Sequence, residues 1–160
     1  GDCTSSGNCN AVKIGTTTLM RYGRLMVKPA FGPESRDLAV SIESQFFNGT
    51  LFERNALDTC TTYTQTQASL TGYGGNLAAG ETTVIAPALA TALVTGESNS
   101  AAPLLLSAPG IGYDGTVDLT LDTPAYLEFD WSGAGSTDPS GTARFGRYRG
   151  NDRVIFWRER

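Results

Sequence analysis

The residues best suited to chemistry lie in one loop near the C-terminal end of this 160-residue chain. Asp130, Ser132 and Asp138 match the first, third and ninth positions of an EF-hand calcium loop, whose oxygen atoms bind the ion. Ala134 stands at the fifth position and Gly141 at the twelfth, where that scheme needs further oxygen ligands. We therefore interpret the loop as a degraded calcium site, with an ordinary loop between two strands as the alternative.

Trp131 lies in the same loop and is the first candidate for ligand binding. An indole ring offers a flat apolar face, which suits the apolar face of a sugar ring. Other aromatic residues could extend such a surface, although most are explained more simply as core or cross-strand residues: Tyr22, Tyr63, Tyr73, Tyr113 and Trp157. A carbohydrate-binding surface around Trp131 is therefore one hypothesis.

The chain contains no histidine. This removes the Ser-His-Asp and Cys-His catalytic arrangements and every metal site that uses imidazole. A pair of carboxylates could hydrolyse glycosidic bonds, but Asp118 and Asp122 fall on the solvent side of an alternating strand pattern. We therefore predict that the chain is not an enzyme and needs no cofactor besides the calcium ion considered above.

The three cysteines leave more than one pairing open. Cys3 and Cys9 enclose a small polar loop whose composition suits a turn, so a local disulfide between them is one prediction. Such a bond would indicate an oxidising compartment. Cys60 could instead pair with either of them, or stay reduced and buried. A zinc site is not expected, because a fourth ligand is missing.

The charge of the chain is unevenly placed. The formal net charge is -4, which argues against nucleic acid as the main partner. Six of the twelve basic residues nevertheless lie between Arg144 and Arg160. They either protect an edge strand from pairing or dock on an acidic surface, such as another copy of the chain. No stretch approaches the roughly 20 apolar residues of a membrane helix, so we expect no membrane insertion.

Short strand patterns fill most of the chain and indicate its fold class. Apolar residues alternate with smaller or polar ones from Leu38 to Ile42 and from Val117 to Leu121, so each set should face a core. Asn48-Gly49 between two such runs predicts a hairpin with a type I′ turn. About nine or ten short strands with regular turn signals predict an all-β fold, a β-sandwich, with an immunoglobulin-like arrangement as one candidate.

The same patterns suggest limits for the domain. Residues 1–11 form a polar N-terminal arm, and residues 12–160 form a single β-sandwich domain. Proline and glycine content predicts a turn at Pro29–Pro33 and a loop at Gly72–Gly80. Residues 84–94 are expected to be extended rather than helical, because Pro87 interrupts them. Val154–Trp157 should be a final strand, buried on both faces.

The segment from Phe145 to Glu159 resembles the C-terminal domain of MshQ-like proteins. These are large surface proteins linked to the biogenesis of MSHA-type (type IV) pili in Gram-negative bacteria. Further stretches resemble the same domain: Tyr22–Leu25, Phe47–Thr50, Asp58–Thr61, Leu106–Gly110, Gly115–Leu119 and Pro124–Trp131. The resemblance implies an exported or cell-surface protein, with a long region ahead of this domain and Arg160 at or near the C-terminus. It implies no particular activity.

Three functions follow from these observations. The leading one is a non-enzymatic extracellular module, structural or adhesive, associated with pilus or cell-surface assembly and partnered by pilus or envelope proteins. The second is the subunit of an extracellular filament, in which the polar arm adds to the open sheet edge of another copy. The third is a carbohydrate-binding module that uses Trp131.

Overall fold

A computed structural model describes residues 21–146 of the chain. This part is an all-β sandwich with one short 3₁₀-helix at Gln65–Gln67. Its twelve strands are β1 (Gly23–Val27), β2 (Ala30–Pro33), β3 (Leu38–Val40), β4 (Ile42–Phe47), β5 (Phe52–Arg54), β6 (Thr62–Tyr63), β7 (Ala68–Gly75), β8 (Val84–Ala86), β9 (Thr91–Ala92), β10 (Leu104–Leu106), β11 (Gly115–Leu121) and β12 (Ser140–Gly146).

The strands form four small sheets around one core. Their orders are β1-β4-β5, β3-β10-β8, β2-β12-β11-β7 and the pair β6-β9. Every pairing between these strands is antiparallel except that of β2 with β12, which is parallel. The predicted β-sandwich is confirmed, with more strands than the nine or ten expected. Strands of two residues, such as β6 and β9, are too short to leave an alternating pattern. The immunoglobulin-like arrangement stays a prediction.

The core is built from the alternating residues, as the sequence predicts. Val117, Leu119 and Leu121 of β11 are buried, and so are Leu104 and Leu106 of β10. A single cluster joins them to buried apolar residues from all four sheets and from the connecting loops: Leu25, Val27, Leu38, Val40, Ile42, Tyr63, Leu77, Leu93, Leu127, Ala143 and Phe145. One face of each sheet therefore packs toward a common interior.

The segment from Leu38 to Ile42 contributes to two sheets instead of one. β3 pairs with β10, while β4 pairs with β1 and β5. The change occurs at Ser41, whose carbonyl accepts a hydrogen bond from the backbone N–H of Lys28 at 2.8 Å. The alternation continues across this break, because Leu38, Val40 and Ile42 are all buried. The predicted inward face is confirmed, although the segment is two strands.

The hairpin predicted at Asn48-Gly49 is present, but its turn is not type I′. Phe47 pairs with Phe52, so the loop has four residues and not two. Only Gly49 has a positive φ there, of 103°, whereas a type I′ turn needs two such residues. Asn48 closes the loop instead, because its Oδ1 accepts the backbone N–H groups of Thr50 and Leu51 at 2.9 and 3.0 Å.

Two other local predictions are wrong. The Pro29–Pro33 segment forms β2 and the turn follows it at residues 34–36, because pairing with β12 holds the segment extended despite its two prolines. The Gly72–Gly80 loop starts later than expected, since β7 continues to Gly75 along β11. Residues 84–94 form no helix, as predicted, and contain the strands β8 and β9 with a bend at residues 88–89 between them.

Several predictions concern segments outside residues 21–146. These are the polar arm at 1–11, the Cys3–Cys9 disulfide, the final strand at Val154–Trp157 and five of the six C-terminal arginines. Cys60 lies inside the described range and is exposed in a surface turn, so the alternative in which it is buried is wrong. None of the helices in the described part is long and apolar enough to cross a membrane.

Candidate functional site

A partly exposed group of aromatic side chains lies where the β4–β5 hairpin meets the connection between β11 and β12. We call it the aromatic cluster, and its members are Tyr22, Phe47, Phe52, Phe129 and Trp131. Phe129 is central: its ring centroid lies 5.0 Å from that of Phe52 and 5.1 Å from that of Trp131, both in edge-to-face geometry. Such pairs are stabilised by the ring quadrupoles in addition to area burial.

Arg24 places a positive charge inside this aromatic cluster. Its guanidinium carbon lies 3.9 Å from the ring centroid of Phe52, 4.6 Å from that of Phe129 and 4.4 Å from that of Trp131. Three cation–π contacts on one guanidinium fix its position. Its Nε also donates a hydrogen bond to Oε1 of Gln45, at 2.8 Å.

The surroundings of Arg24 follow from the strand register. Arg24 is opposite Gln45, and Gln45 is opposite Arg54, so the three residues form a row across β1, β4 and β5. Leu25, the next residue of β1, is buried in the core, which leaves Arg24 on the outer face of the sheet. Burial among the rings lowers the pKa of Arg24 from its ordinary value, and interaction with Tyr22 opposes this.

The loop that carries Trp131 is attached to β1 through its first half. Leu127 is buried, and its carbonyl accepts the backbone N–H of Leu25 at 2.9 Å. Beyond it, Phe129 and Thr137 form an antiparallel bridge. These bonds hold Phe129 beside Arg24, and Trp131 follows two residues later. Trp131 keeps 43% of its surface exposed.

The three residues predicted to bind calcium take different roles in the loop. Oδ1 of Asp130 accepts the backbone N–H of Gly133 at 2.6 Å. Oδ1 of Asp138 accepts the backbone N–H and the hydroxyl of Thr123, at 2.9 and 3.3 Å. Ser132 is exposed. Within residues 21–146, no three Asp, Glu or Cys side chains are grouped so that they could hold a metal ion. Calcium binding at this loop stays a prediction.

Most of the chain matches the model of one known domain family. The model of the fourth domain of DUF6701 matches residues 21–160. The chain belongs to this family. No curated protein and no solved structure matches the chain. The aromatic cluster and Arg24 therefore lie entirely within the DUF6701 fourth domain, whereas residues 1–20 precede the match.

An ionic network lies beside the aromatic cluster in this DUF6701 domain. Nζ of Lys28 lies 2.6 Å from carboxylate oxygens of both Glu43 and Glu97, and Nη1 of Arg54 lies 2.7 Å from Glu97. The hydrogen bonds to Glu43 and Glu97 raise the pKa of Lys28, and the bond from Lys28 lowers the pKa of Glu97. The network neutralises two cations and two carboxylates, and it links β4, β5 and the residue after β1 to the loop that contains Glu97.

A concave feature lies at one end of the β2-β12-β11-β7 sheet. It has a volume of about 420 Å³, and its polar lining includes Asp114, Thr116 and Arg144. Arg144 is the one member of the predicted basic C-terminal group that the structure describes. Phe31 and three glycines complete most of the wall. Edge protection and docking by the basic segment both stay predictions.

Sequence reasoning identified Trp131 but missed its partners. One feature of the sequence indicates that Arg24 faces outward. Arg24 alternates along β1 with Leu25 and Val27, which are buried. Phe52 and Phe129 are distant in sequence and meet only in the folded chain. Tyr63 is buried, as expected for a core aromatic residue.

Proposed function

We propose that this DUF6701 domain is a non-enzymatic adhesive module of a bacterial cell-surface protein, associated with pilus or envelope assembly, whose aromatic cluster binds carbohydrate. The MshQ-like resemblance supports the location and the association with pili. The exposed aromatic cluster carries the adhesive part of the proposal. Its rings and guanidinium can bind a ligand by stacking and hydrogen bonding.

The composition of this surface favours binding. Large exposed apolar residues lie in the hairpin, in the loop and directly before β1: Tyr22, Phe47, Leu51 and Trp131. Contiguous exposed apolar surface marks interaction sites more often than scattered residues do. Tyrosine, tryptophan and arginine are also the residue types that contribute most to binding energy at interfaces. Sugar rings fit such a surface, because they combine apolar C–H faces with hydroxyl groups at the edge.

A glycan array tests this proposal. The labelled 160-residue chain should bind a subset of immobilised glycans, and Trp131→Ala should reduce that signal at least about tenfold, by loss of stacking. Tyr126→Ala is the matched control, because Tyr126 is 75% exposed and belongs to the same connection without making any of the cluster's ring contacts. Absence of binding by the wild type, or equal loss in both variants, would contradict the proposal.

A second candidate function is that of a filament subunit. It is favoured by strand β7, which is an uncharged strand at the edge of its sheet. β7 is the end strand of its sheet and has β11 as its one neighbour within residues 21–146. All eight of its residues are uncharged, whereas edge strands usually carry charges or prolines that prevent pairing. A strand from another copy could pair with β7. Residues 1–20, which precede the family domain, are the proposed source of that strand.

Electron microscopy tests the filament candidate. The purified chain should form filaments, and Thr71→Lys, which adds a charge at an exposed position of β7, should abolish them. Thr142→Lys places the same charge on an exposed position of β12, which is a central strand. Monomers under all conditions, including added calcium and oxidant, would eliminate this candidate.

A further inference from the structure

We propose that the aromatic cluster selects sugars that carry a carboxylate, with Arg24 as the carboxylate partner and Trp131 as the stacking surface. The inference rests on the proposed carbohydrate-binding function and names its ligand class: residues of the uronic acid type. The observations that carry it are the fixed guanidinium of Arg24, its lack of a carboxylate partner within residues 21–146, and the exposure of Trp131 beside it.

The guanidinium of Arg24 is held in one place before any ligand arrives. Gln45 binds its Nε, and three rings surround it at 3.9 to 4.6 Å. Within residues 21–146, its two terminal nitrogens have no hydrogen-bond acceptor. A planar guanidinium with free terminal N–H groups matches a carboxylate, which can accept two parallel hydrogen bonds from it. A fixed donor loses little conformational entropy when it binds.

The charges around Arg24 favour an anionic ligand over a neutral one. Lys28 and Arg54 on the same face are neutralised by Glu43 and Glu97. Arg24 forms no ion pair with any carboxylate in the described range, although burial among the rings removes part of its hydration. A partly desolvated charge without a counter-ion gains most from an opposite charge.

The nearest acid in sequence to Trp131 is already engaged. Asp130 precedes Trp131 directly, and its Oδ1 accepts the backbone N–H of Gly133. Trp131 itself contacts Arg24 and Phe129 and leaves 43% of its surface open. Because Arg24 already lies over one face of the indole, a sugar that contacts the open edge beside the guanidinium can place a ring carboxylate at the terminal nitrogens of Arg24.

Calorimetric titration with one pair of probes tests this selectivity on the wild-type chain. The probes are trigalacturonic acid and its methyl ester, which share every ring and differ in the charge of the carboxyl groups. We expect the acid to bind at least about tenfold more tightly than the ester, because charge-assisted hydrogen bonds are about twice as strong as neutral ones. The chain has a net charge of -4, so general attraction of a polyanion does not explain such a preference.

Variants then assign the effect to Arg24. Arg24→Gln should reduce affinity for the acid to that for the ester, and Trp131→Ala should weaken both. Arg36→Gln is the control, because Arg36 is an exposed arginine whose side chain has no ion pair within residues 21–146. Thermal unfolding shows whether each variant folds. If Arg24→Gln does not fold, the acid-to-ester ratio of the wild type decides the inference.

The outcomes separate this inference from the proposed function. Equal affinity of the wild type for acid and ester overturns the carboxylate inference and leaves carbohydrate binding intact. A preference for the acid that persists at full size in Arg24→Gln also overturns it. Failure to bind either probe, together with binding of neutral glycans on the array, overturns the inference alone. Failure of both probes and of the array removes both proposals.

Discussion

One carboxylate organises the surface turn that contains Cys60. Oδ1 of Asp58 accepts the backbone N–H groups of Cys60 and Thr61, at 3.1 and 3.0 Å, and Oδ2 accepts the hydroxyl of Thr61 at 2.7 Å. Burial by itself raises the pKa of Asp58, but these hydrogen bonds outweigh it and lower the pKa below its ordinary value. The turn is therefore stabilised by the charged form of this side chain.

Replacement of Asp58 by asparagine should make this stabilisation measurable. Asp58→Asn should lower the free energy of unfolding by about 1 kcal/mol at pH 7, because weaker neutral hydrogen bonds replace charged ones. A lowered pKa stabilises the fold above the unfolded value of about 3.9, and this contribution is lost as the pH falls through the folded pKa. Urea denaturation of wild type and variant at several pH values should show their difference shrinking below about pH 4.

The control for this measurement is Asp122→Asn, at an exposed acid that belongs to no such turn. It should change stability little at any pH. A difference between wild type and Asp58→Asn that stays constant from pH 7 to strong acid would contradict the assignment.

Among the elements, the β7–β11 pairing depends on a glycine at the end of β7. Gly75 has a φ of +75°, and a Cβ there would lie 2.9 Å from both the carbonyl oxygen of Asp114 and the Cα of Gly115. Gly133 has nearly the same φ, +79°, but nothing lies within 4 Å of its ideal Cβ. A substitution at Gly133 therefore tests backbone strain alone, whereas one at Gly75 tests strain together with a steric clash.

Gly75→Ala should destabilise the fold more than Gly133→Ala does. Both substitutions force alanine into the left-handed region, at a cost of about 1–2 kcal/mol. Gly75→Ala should add about 1–3 kcal/mol, because backbone atoms must move to admit the methyl group. Chemical denaturation of both variants measures the difference. Equal losses at the two positions would show that β11 does not pack against Gly75 as described.

The sequence predicts a strand where apolar and polar residues alternate strongly. It does not predict a strand that is extended only because a distant strand pairs with it. Val117 to Leu121 follow the period of two and form β11 as expected. β2 contains one proline and one glycine among its four residues, so its strand depends on β12, a partner far along the chain. The Asn48-Gly49 hairpin was predictable as a hairpin, but its loop length depends on which phenylalanines pair.

The candidate site was predictable in one part only. Trp131 could be found, because an aromatic residue in a Gly/Ser loop has no strand to belong to. Arg24 and Phe52 could not be joined to it, since they lie on β1 and β5 and meet it only through the fold. Sequence spacing identifies local groups, whereas this cluster is assembled from three separate regions.

At the scale of the whole molecule, one core joins the sheets, so they should unfold together. Leu104 of β10 is fully buried, and its neighbour Leu105 is only partly buried. Leu104→Ala should cost about 3 kcal/mol through loss of apolar contacts and the cavity left behind, and Leu105→Ala about 1 kcal/mol. Thermal unfolding followed by circular dichroism and fluorescence should show one transition for each protein. Separate transitions would indicate that the sheets have independent cores.

The parallel pairing of β2 with β12 constrains the order in which the chain can fold. Ala30 pairs with Ala143, so the sheet that contains β2, β12, β11 and β7 joins residues from both ends of the described range. Contacts between residues so distant in sequence slow folding, because a long loop must close before they form. During synthesis, β2 cannot complete its pairing with β12 until the chain has been made up to residue 146. A nascent chain that ends before β12 therefore lacks one of the two central strands of its largest sheet, and the domain should acquire its structure only after synthesis has passed this point.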